Sequence, residues 1–383
     1  MLLSGIFPPI TTPFYPDGEP YYKKLEVNVE RYSRTPVAGI VVLGSTGEAI
    51  LLSDQERRDV LKTALAAAAP NKVMIAGTGV ESAHETLRLS EYAAELGYDA
   101  AMVRTPHYYK KQMLPANLLA FYRTVADRSA LPIIIYNFPQ ATGYDIPAEV
   151  VIELASHPNI VAIKESSGNL DKVKIMAEGT RNINVKRQAT VTETFEAVTP
   201  RMLKAAAAES EKQSRELVSV ASLAGTAESM ERRAPLRQAQ GKLSPVPADS
   251  TTKPSSSAVT VVSKLKTRQK EVGFQVMVGA AHQLEPSLGL GAVGAILALA
   301  GPAPTACYEI YAALKDGDNA LAREKQERVK LAAQRVVGEL GVPGVKYAMD
   351  LNGYYGGPSR LPFLPLSGKQ KAEIEKLMAG IRS

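Results

Sequence analysis

The sequence predicts an α/β fold, a (β/α)8 TIM barrel with a C-terminal helical extension and one long insertion. Eight short apolar runs rich in β-branched residues recur along the chain, and stretches of helical period separate most of them. Strands that are apolar on both faces and alternate with helices form a covered parallel sheet. Eight such strands at about 30-residue spacing fit a barrel. A doubly wound open sheet is the structural alternative, although it usually has fewer strands.

The eight predicted strands share an apolar composition. They are GIFPPI near 5–10, GIVVLG at 39–44, KVMIAG at 72–77, DAAMVRT at 99–105, LPIIIYN at 131–137, NIVAIK at 159–164, FQVMVG at 274–279 and AVGAILALA at 292–300. Helical patterns lie between them, and the one at 53–69 begins with the capping-box pair Ser53 and Glu56. Further helical patterns at 304–317, 319–341 and 367–381 exceed what an eighth barrel helix needs, so they predict the extension.

The interval between the sixth and seventh predicted strands is much longer than the others. It includes 195–224, which predicts a helix, and 232–257, whose Pro, Ser and Gln content is typical of a flexible linker. The predicted domains are therefore a barrel at 1–181 and 269–303, a largely flexible insertion at 182–268, and C-terminal helices at 304–383. An insertion that follows a helix and precedes a strand should emerge on the amino-terminal face of the barrel, which bears on stability, whereas chemistry belongs to the opposite face.

Composition and charge narrow the class of protein. The chain is 45% hydrophobic and 22% charged, with one cysteine, no apolar run long enough for a membrane span and no signal-peptide pattern, so we expect a cytoplasmic protein. The net charge of +6 lies entirely in 182–268, which holds 14 basic and 8 acidic residues, whereas the rest holds 31 of each. The main body therefore predicts neither a nucleic-acid partner nor a membrane partner.

Polar residues at the carboxyl ends of the predicted strands are the candidates for chemistry. Lys164 ends the buried strand NIVAIK, where a charged ammonium is costly. A structural ion pair with Glu165 is the plain alternative, but consecutive strand residues point to opposite faces. Burial depresses the pKa of a lysine, and the neutral amine can then attack a ketone to form a Schiff base. Tyr136, Ser45 and Thr46, at other strand ends, supply the hydroxyls that such chemistry needs, although each also fits a structural role.

Four motifs at four strand ends, GSTGE, TPHYY, YNFPQATG and KESSGN, resemble those of the dihydrodipicolinate synthase / N-acetylneuraminate lyase family of class I aldolases. The resemblance covers about 5–181 and 269–380. It implies a homodimer or homotetramer, a 2-oxo acid as small-molecule partner, and no cofactor beyond a covalent Schiff base through a lysine.

The resemblance also implies roles for single residues. Lys164 would form the Schiff base and Tyr136 would be the general acid/base. Ser45 and Tyr108 would complete the proton relay, with Tyr108 reaching into a neighbouring subunit's site. The substrate-binding residues would be Thr46, Gly279, Ile296 and Ser166.

Departures from the synthase pattern affect the substrate. Ala141 occupies the position of an arginine that grips a second carboxylate in synthases, and Asp54 and Arg57 stand where histidines are expected in lysine-inhibited members. The segments GTGVESAHET, DAAMVRTPHYYKKQM and GVPGVKYAMDLNGYYGGPSRLP are instead similar to 4-hydroxy-2-oxoglutarate aldolases, which yield pyruvate and glyoxylate. A 4-hydroxy-tetrahydrodipicolinate synthase, a sugar-acid lyase or dehydratase, and a non-catalytic sensor of 2-oxo acids stay open as alternatives.

Two further sequence patterns do not support a nucleotide-binding or metal-binding function. The G-x-G-x-x-G array at 289–294 precedes an apolar strand, whereas a dinucleotide fingerprint follows a strand. The four histidines, at 84, 107, 157 and 282, lack metal-ligand spacing, so no metal site is expected.

Overall fold

The computed structural model describes residues 2–185, 187–192, 198–208, 261–262 and 265–381. Eight parallel strands form its central sheet: β1 (Gly5–Phe7), β2 (Gly39–Val42), β3 (Val73–Gly77), β4 (Ala100–Arg104), β5 (Ile133–Asn137), β6 (Ile160–Glu165), β7 (Gln275–Val278) and β8 (Gly294–Ile296). Each strand pairs with its sequence neighbour from β2 to β8, and β8 also pairs with β1. The amide of Val41 donates to Pro8 O and that of Ile10 to Val41 O, both at 3.0 Å, and these bonds close the sheet between β1 and β2. The predicted TIM barrel is therefore confirmed.

Helices cover the outside of the barrel. They are α1 (Tyr22–Ser33), α2 (Asp54–Ala67), α3 (Ala83–Leu96), α4 (Pro115–Arg128), α5 (Ala148–Leu154), α6 (Leu170–Thr180) and α7 (Leu284–Gly289). The predicted capping box begins α2, where Ser53 Oγ accepts from the amide of Glu56 and the Glu56 carboxylate accepts from the amide of Ser53. Among the described residues, no helix is both long and apolar enough to cross a membrane.

Alternate residues of the strands fill the barrel interior with apolar side chains. This inner cluster comprises Leu3, Phe7, Val41, Val73, Ile75, Ala100, Met102, Ile134, Tyr136, Val161, Ala162, Met277 and Ile296. Gly294, the last glycine of the G-x-G-x-x-G array, belongs to β8, and a Cβ there would lie 2.5 Å from Leu3 O. Gly294 therefore allows close packing of β8 against the start of the chain.

The C-terminal extension is helical, as predicted, and packs against the barrel. It consists of α8 (Pro304–Lys315), α9 (Asn319–Ala332), a π-helical segment (Ala333–Glu339), α10 (Gly341–Leu351) and α11 (Gly368–Met378). The pattern at 319–341 does not reveal the π-helical segment, and α10 was not predicted, because Gly341 and Pro343 are usual helix breakers. Arg31 of α1 donates to the carbonyls of Gly353, at 2.6 Å, and Asn352, at 2.9 Å.

The described parts of the insertion pack near the amino-terminal ends of the barrel strands. Strand Arg187–Val191 pairs antiparallel with Arg268–Val272, which crosses the predicted boundary at 268, and Ala189, Val191 and Val272 pack with Leu2. A helical segment at 200–208 follows, and Arg201 donates to the carbonyl of Lys72 and lies 3.8 Å from the buried Asp99 carboxylate. The predicted linker at 232–257, and the predicted helix beyond 208, lie outside the described residues.

Candidate active site

The carboxyl ends of the strands surround a cavity of about 590 Å³. Seven of the predicted site residues line it: Ser45, Thr46, Tyr136, Lys164, Ser166, Gly279 and Ile296. Side chains alternate between the two faces of each strand, so the last inward-pointing residues of β5 and β6 face the cavity. Tyr136 and Lys164 are partners in the register of those two strands, so their side chains leave the sheet on the same side.

Lys164 lies in an environment that favours its neutral form. Its residue is only 5% exposed, and its Nζ lies 4.0 Å from the centroid of the Tyr136 ring. No carboxylate within the described residues lies within ion-pair distance of this nitrogen. Burial lowers the pKa of Lys164 to about 7, so an appreciable fraction of the amine is unprotonated and nucleophilic at neutral pH.

Glu165 does not partner Lys164, because it points to the other side of the sheet. Its carboxylate accepts from Asn137 Nδ2 at 2.9 Å and from the amide of Ser167 at 2.6 Å. It also forms an ion pair with Lys172 of α6 at 3.1 Å. Glu165 therefore fixes the segment after β6 from outside the barrel, and the structural interpretation of Lys164 as its ion-pair partner is wrong.

Tyr136 connects the lysine to the loop after β2. Its hydroxyl lies 3.2 Å from Ser45 Oγ, and either oxygen can donate this hydrogen bond. Burial raises the pKa of Tyr136 to about 12, while the hydrogen bond with Ser45 and the charge of Arg104 partly counter that rise. The phenol is therefore protonated at neutral pH and can pass a proton along the Ser45 contact.

The loop that carries Ser45 and Thr46 has a strained backbone that the extension holds in place. Leu43 and Glu48, which flank GSTG, have φ values of 61° and 53°, a region that non-glycine residues rarely adopt. The Glu48 carboxylate is buried, lies 2.5 Å from Lys346 Nζ of α10 and accepts from the amide of Arg360 at 2.8 Å. Burial raises the pKa of Glu48 and lowers that of Lys346, and their attraction counters both shifts.

Gly279 leaves the room in which Ser166 and Lys164 meet. A Cβ at this glycine would lie 1.9 Å from Ser166 Oγ and 3.3 Å from Lys164 Cε, so no larger residue fits without displacing them. Ser166 Oγ is buried and has no hydrogen-bond partner within the described chain. A buried hydroxyl without a partner is unusual and is available to a ligand in the cavity.

Tyr108 is the predicted site residue that does not line the cavity. Its side chain is exposed, at 75%, and contacts the ring of Tyr109 edge-on. Glu81, after β3, holds this loop by accepting from the amides of His107 and Tyr108, both at 3.0 Å. Within one protomer, Tyr108 is therefore separate from the Tyr136–Ser45 pair.

Two residues that line the cavity were not identified from the sequence as candidates for ligand binding. Arg104 ends β4 in register with Tyr136, and Arg57 extends from α2. Side-chain alternation along β4 could have identified Arg104, because Ala100 and Met102 point inward and Arg104 is the next inward position. Ala141, at the position of the synthase arginine, also lines the cavity, whereas Arg360 forms an ion pair with Glu56 at 2.6 Å.

Comparisons with known proteins assign the chain to a family. The model of the dihydrodipicolinate synthetase family matches residues 2–207 and 241–380. The 4-hydroxy-tetrahydrodipicolinate synthase of Methanothrix thermoacetophila is 27% identical over 98% of this chain and 96% of its own. That of Xanthomonas campestris is 42% identical over 45% of this chain and 57% of its own, so that alignment spans little more than half of the relative.

A solved structure has the same fold. YagE, a prophage protein of E. coli K12 that was crystallised in complex with pyruvate, superimposes with a TM-score of 0.71 at 24% identity, over 100% of this chain and 99% of that one. The chain belongs to the dihydrodipicolinate synthetase family and is an enzyme of the class I aldolase/lyase type.

Proposed function

We propose that the protein cleaves 4-hydroxy-2-oxoglutarate to pyruvate and glyoxylate through a Schiff base on Lys164. The observation that carries this proposal is the buried, unpaired Lys164 beside Tyr136, which in turn contacts Ser45. A nucleophilic amine next to a protonated phenol is the arrangement that a class I aldolase requires.

Each chemical step can be assigned to these groups. The Lys164 amine attacks the C2 ketone, and the relay of Tyr136 and Ser45 donates the proton with which the resulting C2 hydroxyl leaves as water. This step leaves a cationic iminium and a deprotonated relay. The relay of Tyr136 and Ser45 removes the proton of the C4 hydroxyl, the C3–C4 bond breaks to release glyoxylate, and its electrons neutralise the iminium as an enamine. Protonation at C3 and hydrolysis then release pyruvate and free the amine. Thr46, Ser166 and the backbone around Ser45 would hold the C1 carboxylate, while Gly279 and Ile296 would shape the pocket around C2 and C3.

Two observations bear on the choice of substrate. Ala141 offers no charge to aspartate semialdehyde, which disfavours the synthase reaction. The cavity walls beyond the lysine are formed largely by apolar residues such as Leu89, Val337 and Val342, which offer few partners to the hydroxyl groups of a sugar acid.

The synthase reaction, condensation of pyruvate with aspartate semialdehyde, is the second candidate. It is favoured by the relatives, since both named above are called 4-hydroxy-tetrahydrodipicolinate synthases. Loss of one charged hydrogen bond costs roughly 1.5–3 kcal/mol, so the missing arginine should make condensation at least about tenfold poorer than cleavage in kcat/KM.

We also propose that the enzyme works as a homodimer or homotetramer. The exposed pair of Tyr108 and Tyr109 would be covered in such an assembly, and Tyr108 would complete a relay in the neighbouring site. Sedimentation of the wild type and of Tyr108→Phe, each with its activity, tests this. A monomeric wild type with full activity would contradict it.

One preparation tests the reaction. Borohydride with pyruvate should add a reduced adduct to the peptide that contains Lys164, and cleavage and condensation should be measured side by side. Adducts only on another lysine, such as Lys346, would overturn the mechanism. Efficient condensation with weak cleavage would establish the synthase reaction, and trapping with neither reaction would indicate a sensor of 2-oxo acids.

A further inference from the structure

We infer that Arg104 and Arg57 form an anion subsite that receives the distal carboxylate of a five-carbon 2-oxo diacid bound to Lys164. This inference rests on the proposed function and specifies how its substrate is recognised. The two arginines line the same cavity as Lys164.

The strand register places Arg104 in line with the reacting groups. Arg104 pairs with Tyr136 between β4 and β5, and Tyr136 pairs with Lys164 between β5 and β6. Residues in register on neighbouring parallel strands leave the sheet on the same side, and neighbouring strands lie about 4.8 Å apart. Arg104 therefore begins about 10 Å from Lys164 across the barrel mouth. A chain attached to Lys164 through C2 would extend past Tyr136 towards it.

Contacts with two neighbouring residues hold the Arg104 side chain in place, but some of its N–H groups remain available to a ligand. Its Nη1 lies 3.0 Å from a Glu81 carboxylate oxygen and 2.5 Å from His107 Nδ1. Its Nε and Nη2 have no protein acceptor within the chain that the structure describes. A guanidinium fixed at one nitrogen presents its other N–H groups in a planar array that suits a carboxylate.

Arg57 contributes a second cation without a carboxylate partner. Its Nε donates to Ala49 O at 3.0 Å, and among the described residues no carboxylate lies within ion-pair distance of it. Burial lowers the pKa of Arg57, the negative charges of Asp54 and Glu56 partly counter that shift, and the nearby positive charge of Arg104 adds to it. An anion between two such cations offsets their repulsion.

The acidic residues of the cavity do not neutralise this subsite. Glu48 and Glu339, which both line the cavity, are paired with Lys346 and Arg335, each at 2.5 Å. Among the described residues that line the cavity, the Lys164 amine and the Arg57 guanidinium thus have no carboxylate partner, and Arg104 is only partly engaged. The arrangement suits a ligand with a ketone at one end and an additional carboxylate at the other.

A length-matched pair of ligands tests the subsite without requiring cleavage. 2-Oxoglutarate and 2-oxopentanoate have the same five-carbon chain, and only the first carries the distal carboxylate. The concentration dependence of cyanoborohydride trapping at Lys164 gives an apparent Kd for each. We expect the wild type to bind 2-oxoglutarate at least about tenfold more tightly, and Arg104→Gln and Arg57→Gln each to reduce that preference about tenfold while changing the Kd of 2-oxopentanoate less than threefold.

Arg58→Gln is the matched control, because Arg58 follows Arg57 on α2 and forms an ion pair with Asp54 at 3.0 Å. It should leave both constants unchanged, and Arg104→Lys should retain part of the preference. A wild type without preference, no loss of preference in the variants, or an equal weakening of both ligands overturns the inference. Because trapping needs no bond cleavage, the subsite can stand if 4-hydroxy-2-oxoglutarate proves not to be cleaved, and it can fail while cleavage is observed.

Discussion

Lys164 Nζ lies 4.0 Å from the centroid of the Tyr136 ring, and the two residues are register partners on neighbouring strands. The ring covers one side of the amine and excludes water from it. At the same time, the Tyr136 hydroxyl reaches Ser45 Oγ at 3.2 Å. Tyr136 thus helps to bury Lys164, and burial lowers the pKa of that amine; in the proposed mechanism its hydroxyl would also begin the proton relay.

The first prediction concerns pH. Because burial lowers the pKa of Lys164 to about 7, the reactive neutral amine increases as the pH rises through that value. The rate of pyruvate trapping at Lys164 should therefore climb about tenfold per pH unit below 7 and level off above about 8. Trapping should be followed by mass spectrometry between pH 5 and 9 at a fixed reductant concentration, with the reductant's own pH dependence measured on a free ketone and amine. A rate that rises steadily to pH 9 would indicate an ordinary lysine.

Most of the fold, and the positions of the main candidate residues at the strand ends, were predictable because both depend on local patterns; the catalytic roles of these residues stay predictions. The apolar run from Ile160 to Ile163 predicts β6, and the polar residue at its end identifies Lys164 as a candidate. Side-chain alternation predicts that Lys164 and Glu165 point to opposite faces of the sheet. The alternation of β4 indicates that Arg104 points inward, but its position beside Tyr136 depends on the register of β4 with β5, which no local pattern specifies.

Long-range pairings were the least predictable features. The pairing of 187–191 with 268–272 joins segments that lie about 80 residues apart, and no local signal specifies such a partner. The ion pair of Glu48 with Lys346 joins even more distant segments, and no local pattern around either residue specifies the other.

The second prediction concerns Tyr136→Phe, which removes the phenolic hydroxyl and keeps the ring. General acid/base groups typically contribute about 10²–10⁴-fold, so kcat should fall by that factor. Tyr122→Phe is the matched control, because Tyr122 is also buried but donates to Val103 O at 3.2 Å, away from the cavity. Circular dichroism should show both variants folded. A fall of less than about threefold for Tyr136→Phe would assign the residue to packing alone.

The third prediction concerns Gly279→Ala. The added methyl group would lie 1.9 Å from Ser166 Oγ and 3.3 Å from Lys164 Cε, so both side chains must move. We expect pyruvate trapping to slow at least about tenfold, and unfolding to become easier by about 1–3 kcal/mol, as is usual for overpacking. Gly289→Ala is the control, since a Cβ there meets nothing within 4 Å. Equal trapping rates for the two variants would show that Ser166 and Lys164 do not depend on the space at Gly279.

The last prediction concerns the buried ion pair behind the Ser45 loop. Lys346→Met would leave the Glu48 carboxylate buried without its cation, and removal of one partner of a buried pair typically costs about 3–5 kcal/mol. Lys346 is only 1% exposed, and its Nζ also donates to Pro358 O at 2.8 Å. In the variant, the Glu48 carboxylate would keep the hydrogen bond from the amide of Arg360 at 2.8 Å. Adding Glu48→Gln should recover much of the lost stability, because the double variant buries no charge at this position. Urea unfolding of the wild type, both single variants and the double variant measures the coupling.

Since Glu48 holds the strained loop after β2, Lys346→Met should also reduce kcat without preventing pyruvate trapping at Lys164. Strictly additive free energies in the cycle would mean that the two residues stabilise the fold independently.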